Sequence, residues 1–216
     1  MNNIKLDVKK LELLKMGTSK DKQRYVINGI LVKDFEKNNK FYRDYVSTDG
    51  KILLLIREPI EKIETNVNHS NELVLFFDKI KLNNKFKNME ELKIDFQVMN
   101  NHYLVNNNFG IQLEFDNDSV YPKYNNVIPD NVKEFDKQFI IDSKYLEVCK
   151  KFFLTKTREI GKHYFYRFYS NGIRQPKLIC ERIGKLIKLL VVMEIDCSCL
   201  TNLEDTNKIL KELKEI

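Results

Sequence analysis

The sequence predicts an α+β protein built from short modules, each a helix candidate followed by strands. Three observations predict it. Asp49-Gly50 separates two apolar runs, Tyr42–Val46 and Ile52–Arg57, and Asp-Gly between such runs is a strong hairpin signal because Gly takes positive φ cheaply. Leu92–Val98 and Tyr103–Val105 alternate apolar and polar residues across Asn100-Asn101, the period of a half-buried strand. Tyr145, Leu146, Cys149 and Phe153 follow Ser143 at helical spacing, and Ser is a favoured N-cap.

The first module runs from Ile4 to Pro59. Leu6, Leu13, Leu14 and Met16 recur at helical spacing with Lys9 and Lys10 among them, and Gly17-Thr18-Ser19 closes that helix. Tyr25–Val32 is apolar and β-branched, an expected strand, with Asn28-Gly29 inside it. The second module runs from Asn71 to Pro129. Leu73–Phe86 reads as a strand and then a helix with Phe76, Phe77 and Ile80 buried, and Ile111–Phe115 reads as a further strand. The third module runs from Phe139 to Ile195. It holds the Ser143–Phe153 helix and strands at Tyr164–Tyr169, Lys177–Arg182 and Leu186–Met193, with a turn at Ser170-Asn171-Gly172. The modules share no repeat legible in their residues, so a structural repeat is the expectation. Asp130 to Lys133 is the expected boundary. From Asp196 a tail follows in which Thr201 and Glu204 fit a capping box ahead of Leu203, Leu210 and Leu213.

Composition narrows the classes. The chain has 216 residues, 43% hydrophobic and 31% charged, ordinary for a globular protein with a proper core. Seven Gly and four Pro argue against collagen or long flexible linkers. No apolar run reaches the roughly 18 residues of a membrane-spanning helix, and MNNIKLDVKK has no apolar signal core. A cytoplasmic chain with four reduced Cys is the expectation. Thirty-seven Lys+Arg against 31 Asp+Glu give +6, a surplus that permits nucleic-acid binding without demanding it. Asn and Lys are frequent and Trp is absent; this reads as a coding bias, so Asn-rich stretches receive little functional weight.

Four stretches carry a resemblance. Arg24-Tyr25-Val26-Ile27-Asn28-Gly29-Ile30-Leu31, followed by Val46-Ser47-Thr48-Asp49-Gly50-Lys51-Ile52-Leu53, resembles R-Y-x-L-N-G and then A-T-D-G-H-R-L in the middle domain of the bacterial DNA polymerase III β subunit, the sliding clamp. Tyr121-Pro122-Lys123-Tyr124-Asn125-Asn126-Val127-Ile128-Pro129 resembles the F-P-D-Y-R-R-V segment that closes that domain. Leu190-Val191-Val192-Met193-Glu194-Ile195 resembles the family's terminal Y-V-V-M-P-M, and Phe139–Phe153 its last helix. The resemblance spans roughly residues 1–195. It implies a DNA-clamp-like fold of repeated β-α-β-β-β units, with a full middle-type domain at 1–129, a shortened last domain at 130–195 and a tail at 196–216. The family's first domain has no counterpart, so the usual ring of two three-domain chains would need another subunit number or added partner domains.

The resemblance also implies sites. Family helices look into the central hole, which would put Lys5, Lys9, Lys10 and Lys15, then Lys79, Lys81 and Lys85, then Lys144, Lys150 and Lys151 against duplex DNA. Lysines there hold phosphates without reading bases, as sliding requires. Lysines also fill any solvated helix face, and Asp7, Glu12, Asp78 and Glu147 share these segments. Partner peptides of replication or repair proteins dock in an apolar cleft of the family. The matched positions are Ile27, Thr48, Gly50, Lys51, Ile52, Pro122, Asn126, Val127, Val191, Met193 and Ile195. A Met wall adapts to several Leu or Phe side chains; Ile27, Val191 and Met193 read equally as strand core. Lys51, Asn126 and Glu194 stand where the family has His, Arg and Pro.

Catalytic groupings are thin. His69, His102 and His163 lie far apart, Cys197-Ser198-Cys199 has no second pair for zinc, and no P-loop, G-x-G-x-x-G or G-x-S-x-G occurs. Asp49 is explained by its turn, and Cys149 and Cys180 sit in apolar runs as expected core residues. The run His163–Tyr169 fits a half-exposed strand better than a base-stacking platform. The expectation is a non-enzymatic clamp-like protein that self-associates, with no cofactor, metal or membrane. The alternative is a DNA-free interaction protein that competes with a host clamp for partners or its ring interface. An enzyme on an unrelated α+β fold is disfavoured by the missing catalytic cluster.

Overall fold

The computed structural model describes residues 2–65, 72–76, 91–99, 102–106, 120–128, 133–134, 141–153, 168–170 and 177–193. Strand β1 (Asn2–Asp7) leads into helix α1 (Val8–Lys15). Strands β2 (Gly29–Lys37), β3 (Lys40–Thr48) and β4 (Ile52–Ile60) follow. The second module contributes β5 (Glu72–Phe76), β6 (Glu91–Met99) and β7 (His102–Asn106). A short strand β8 (Lys133–Glu134) precedes the third module, which contributes α2 (Ser143–Phe153), β9 (Tyr169–Ser170), β10 (Lys177–Ile183) and β11 (Leu186–Val192). The layout is α+β, as the sequence predicts.

Helix α1 begins later than the apolar spacing suggests. Ile4 and Leu6 belong to β1, where they are buried on either side of exposed Lys5 with strand period 2. Asp7 stops the strand and caps the helix, accepting from the Lys9 and Lys10 N–H groups at 2.8 and 3.3 Å. The expected strand at Tyr25–Val32 is likewise split. Lys22–Asn28 form a 3-10 segment, held by Gln23 N–H to the Asp21 carboxylate and by the Asn28 amide to the Asp21 carbonyl. Strand β2 starts only at Gly29, where a Cβ would stand 2.5 Å from Val74 Cγ1; the neighbouring strand comes too close for a side chain.

The turns show what local chemistry decides. At Asp49-Gly50 the predicted hairpin forms, with Gly50 at φ +88° and the Asp49 carboxylate accepting from the Lys51 and Ile52 N–H groups. Asn38 and Asn39, for which no turn was expected, make the β2–β3 turn with φ of 54° and 57°. Asn tolerates the left-handed region better than most residues, and two such residues suit a two-residue hairpin. Strands β6 and β7 pair across Asn100-Asn101 as expected, as do β10 and β11.

Among the described residues all pairings are antiparallel and build two sheets, β1-β6-β7 and β5-β2-β3-β4-β11-β10-β9-β8. The first two modules exchange their leading strands: β1 pairs with β6, while β5 pairs with β2. Strand β11 pairs with β4 from Val192↔Ile52 to Ile187↔Arg57, so one sheet carries strands of the first, second and third modules.

Both helices pack on the same face of the eight-stranded sheet. Val8, Leu11 and Leu14 of α1 join Tyr145, Cys149, Phe152 and Phe153 of α2 in one core with Ile30, Val32, Tyr45, Ile52, Leu54, Ile56 and Leu190. Burying each such Leu or Ile contributes about 1.5–3 kcal/mol. The N-cap of α2 is Asp142, not Ser143: its carboxylate accepts from Lys144 N–H at 3.0 Å. Leu146, expected in the apolar stripe, is exposed, and Phe152 takes its place. At the other end the buried Lys188 ammonium donates to the Phe152 carbonyl at 2.8 Å, satisfying a carbonyl of the last helical turn. Burial lowers the Lys188 pKa.

Cys149 is buried as expected, whereas Cys180 is exposed. Cys180 lies next to Ile179 on β10, and alternation turns it out of the core that Ile179 enters. Burial pushes the Cys149 thiol up to about 12, so the native protein should leave Cys149 unmodified by iodoacetamide at pH 8 while Cys180 is alkylated. Mass spectrometry of digested protein checks this. Equal labelling of both in the native state would contradict the packing.

The expected helix after Phe76, the strand at Ile111–Phe115, the boundary at 129/130, the stretch 164–167 and the tail lie outside the described residues. Among the described residues no helix is long and apolar enough to cross a membrane.

Candidate functional site

The sheet face opposite the helices has its own core. Leu31, Val46, Leu53, Leu55, Val74, Phe76, Leu178, Leu189 and Val191 lie on it, and Tyr121 and Tyr124 cover them. Two buried carboxylate networks fix the surroundings. The Asp44 carboxylate accepts both Arg57 Nε and Nη2 at 2.7 Å and the Tyr124 hydroxyl at 2.8 Å. That anchors the segment 121–128 to the outer face, as does the Tyr121 hydroxyl, which donates to the Val46 carbonyl at 3.4 Å. Burial raises the pKa of both tyrosines, so both remain hydrogen-bond donors. On the helix side Arg43 holds Asp34 through Nε and Nη2 at 2.7 and 2.9 Å, Glu64 at 3.0 Å and the Lys5 carbonyl at 3.0 Å.

The predicted cleft residues divide by strand parity. Thr48, Val191 and Met193 share the outer face with Val46 and Leu53. Met193 N–H donates to the Lys51 carbonyl at 2.9 Å, extending the β4–β11 ladder by one residue. The Thr48 hydroxyl is committed to the turn, donating to the Ile52 carbonyl and accepting from Gly50 N–H. Met193 and Val127 are 40% and 39% exposed, and Lys51, Pro122 and Asn126 are exposed. Val191 is buried. Ile52 faces the other way, into the helix-side core, where its role is packing. Ile27 is buried in the 3-10 segment, and Ile195 lies outside the described residues.

The predicted DNA-facing lysines are similarly sorted. Lys5, Lys9, Lys15, Lys144 and Lys151 are exposed. Lys9 and Lys15 on α1 and Lys144 and Lys151 on α2 belong to helices that share one buried face, so both helices offer their outer sides away from the same sheet. Glu12 and Glu147 interrupt this surface. Lys10 is half-buried and engaged, pairing with Glu58 and, at 3.4 Å, with Asp7. Lys144 sits 3.4 Å from Asp142 and over the Tyr145 ring. Lys150 is half-buried. Lys79, Lys81 and Lys85 lie outside the described residues.

Sequence reading missed Lys20 and Arg24. They line an open groove of about 510 Å³ with Lys51, Lys144, Asp21 and Asp49, where the β3–β4 turn meets the start of α2. The Tyr145 hydroxyl donates to Asp49 there at 3.1 Å. The turn and this bond engage both Asp49 oxygens. Among the described residues no group of three or more His, Cys, Asp or Glu is placed to hold a metal.

A sheet of exchanged and cross-module strands with helices on one face defines a clamp-fold protein, and the solved structures agree. The chain is similar to the beta sliding clamp of Caulobacter crescentus, with a TM-score of 0.63 at 15% identity over 91% of this chain and 66% of that one. A clamp from Pseudomonas aeruginosa matches with a TM-score of 0.56 at 15% identity over 90% and 65%. The Bacillus subtilis clamp gives 0.53 at 13% over 90% and 64%. The fold is therefore that of the DNA polymerase III beta subunit, and the chain spans about two thirds of the length of these relatives. No protein-family model and no curated protein matches it in sequence.

Proposed function

We propose that the chain is a clamp-type platform, without a catalytic step, that holds duplex DNA by its backbone and tethers replication or repair proteins in the cytoplasm. The observation that carries this reading is the shared helix face, where α1 and α2 expose Lys9, Lys15, Lys144 and Lys151 on one side of a clamp-fold sheet. Point-charge lysines suit a phosphate backbone held without regard to sequence. Lys5, Lys10, Lys79, Lys81, Lys85 and Lys150 join the DNA side of the proposal through the family resemblance. In this reading residues 1–129 act as a full domain, 130–195 as a shortened one, and copies associate into a closed body.

The tethering site is the outer-face end of β4 and β11, where Met193 is exposed and Val191 buried on one face of β11, together with exposed Val127 of the segment that Tyr121 and Tyr124 anchor to that face. The Caulobacter clamp carries polyethylene glycol at a proposed beta-motif tethering region, and the Pseudomonas clamp binds griselimycin; ligand binding by proteins of this fold supports the assignment here. Replacing Met193 and Val127 together by Ala should weaken an extended Leu/Phe hexapeptide about tenfold, by removing half-exposed apolar contact. Fluorescence anisotropy with the labelled hexapeptide reads this. Unchanged affinity in a folded variant would remove the cleft from the account.

A further inference from the structure

A groove lies at the opposite end of the same strands. The Asn38-Asn39 turn between β2 and β3 and the Gly184-Lys185 turn between β10 and β11 flank an open groove of about 710 Å³. Its floor is the outer face of the sheet: Tyr42 is the register partner of Pro59, and Arg57 of Ile187. One rim carries Lys37 and Lys40, the other Arg182 and Lys185, and all four are exposed. Among the described residues none of the four makes a salt bridge. Arg57 is committed to Asp44, and Glu61 is the one carboxylate among the described lining residues. Lys37 and Lys40 are direct cross-strand partners, and like charges placed so oppose the hairpin unless an anion lies between them.

We propose that this groove binds an acidic peptide segment in which aliphatic or aromatic side chains alternate with carboxylates. Carboxylates meet the two cationic rims, and the apolar side chains meet Pro59 and Ile187. Single-stranded nucleic acid fits less well, because it needs open stacking rings. The two lining rings, Phe41 and Tyr42, are half-buried, and Tyr42 is stacked on Phe35 at 5.7 Å. The groove is on the face away from α1 and α2 and at the far end from Met193, so the inference stands whether or not the helix face contacts DNA.

The test uses a fluorescein-labelled peptide, Asp-Glu-Phe-Asp-Glu-Leu-Asp, titrated with the full chain in anisotropy. Binding is expected, weakened by about tenfold or more in Lys37→Glu/Lys185→Glu and in Arg182→Glu. Lys144→Glu/Lys151→Glu, on the helix side, should leave it unchanged, and the peptide with Asn and Gln for its acids should bind about tenfold more weakly. Circular dichroism confirms that these exposed changes leave the fold intact. The proposal is overturned by absence of peptide binding, by an affinity indifferent to the rim variants, or by labelled oligothymidylate occupying the groove in place of the peptide.

Discussion

Arg43→Met should destabilise the protein by about 3–5 kcal/mol, the cost of leaving a buried carboxylate without its partner. Arg43 and Asp34 are both almost fully buried, and their bidentate pair is 2.7 and 2.9 Å long. Burial opposes the Arg43 charge, but Asp34, with Tyr45 and Glu64, more than offsets it and raises its pKa. The same guanidinium reaches the Lys5 carbonyl on β1 and Glu64 beyond β4, while Asp34 also accepts from the Glu64 and Thr65 N–H groups. Losing Arg43 therefore loosens β1 and the chain after β4 together. Urea unfolding should show a lower midpoint. A variant of wild-type stability would contradict the buried pair. The double variant Arg43→Met/Asp34→Asn should recover part of the loss, because the unpaired buried charge is gone while the amide oxygen can still accept from the Glu64 and Thr65 N–H groups.

The second large effect concerns DNA. Reversing Lys9, Lys15, Lys144 and Lys151 to Glu should abolish most duplex binding and flatten its salt dependence. Each phosphate neutralised contributes a slope of about −0.9 in log K against log salt, so four contacts weaken binding roughly 100-fold between 50 and 200 mM salt. The quadruple variant should lose that term. All four side chains are exposed, so the urea midpoint should move little. Lys37→Glu/Lys185→Glu, on the other face, should retain the wild-type slope for duplex DNA. If the quadruple variant kept the wild-type slope, the helix face would not carry the contact.

Local patterns made much of the fold legible. The Asp49-Gly50 hairpin, the β6–β7 and β10–β11 strands and the extent of α2 follow from turn chemistry and periodicity. Where the reading failed, a local competitor or a distant partner decided. Asp7 and Asp21 diverted Leu6 and Tyr25–Asn28 from the elements their spacing favoured. Asn38-Asn39 carried a turn signal that went unread. The exchange of β1 and β5 and the β4–β11 ladder join residues far apart in sequence, and period-2 alternation does not name a strand's partner.

The site was legible in part for the same reason. Motif order brought Thr48, Val191 and Met193 to one face, while Ile52 was grouped with them although its neighbour Leu53 is the residue paired with Val191. Strand parity alone separates Ile52 from that face. The anchoring of Tyr124 by Asp44 and Arg57 had no sequence signal, because the three residues come from three separate segments. The groove between Lys37 and Lys185 was hidden likewise, since only sheet order places the two turns at one end.

The central claim, a clamp-type body on duplex DNA, is tested most directly by retention on DNA of defined topology. The chain is mixed with a nicked circular plasmid and passed over a sizing column in salt high enough to suppress phosphate contacts, with light scattering on the eluate. The account predicts that a closed oligomer travels with the circle and is lost when one cut linearises the plasmid. A monomer that leaves circular and linear DNA alike would contradict it.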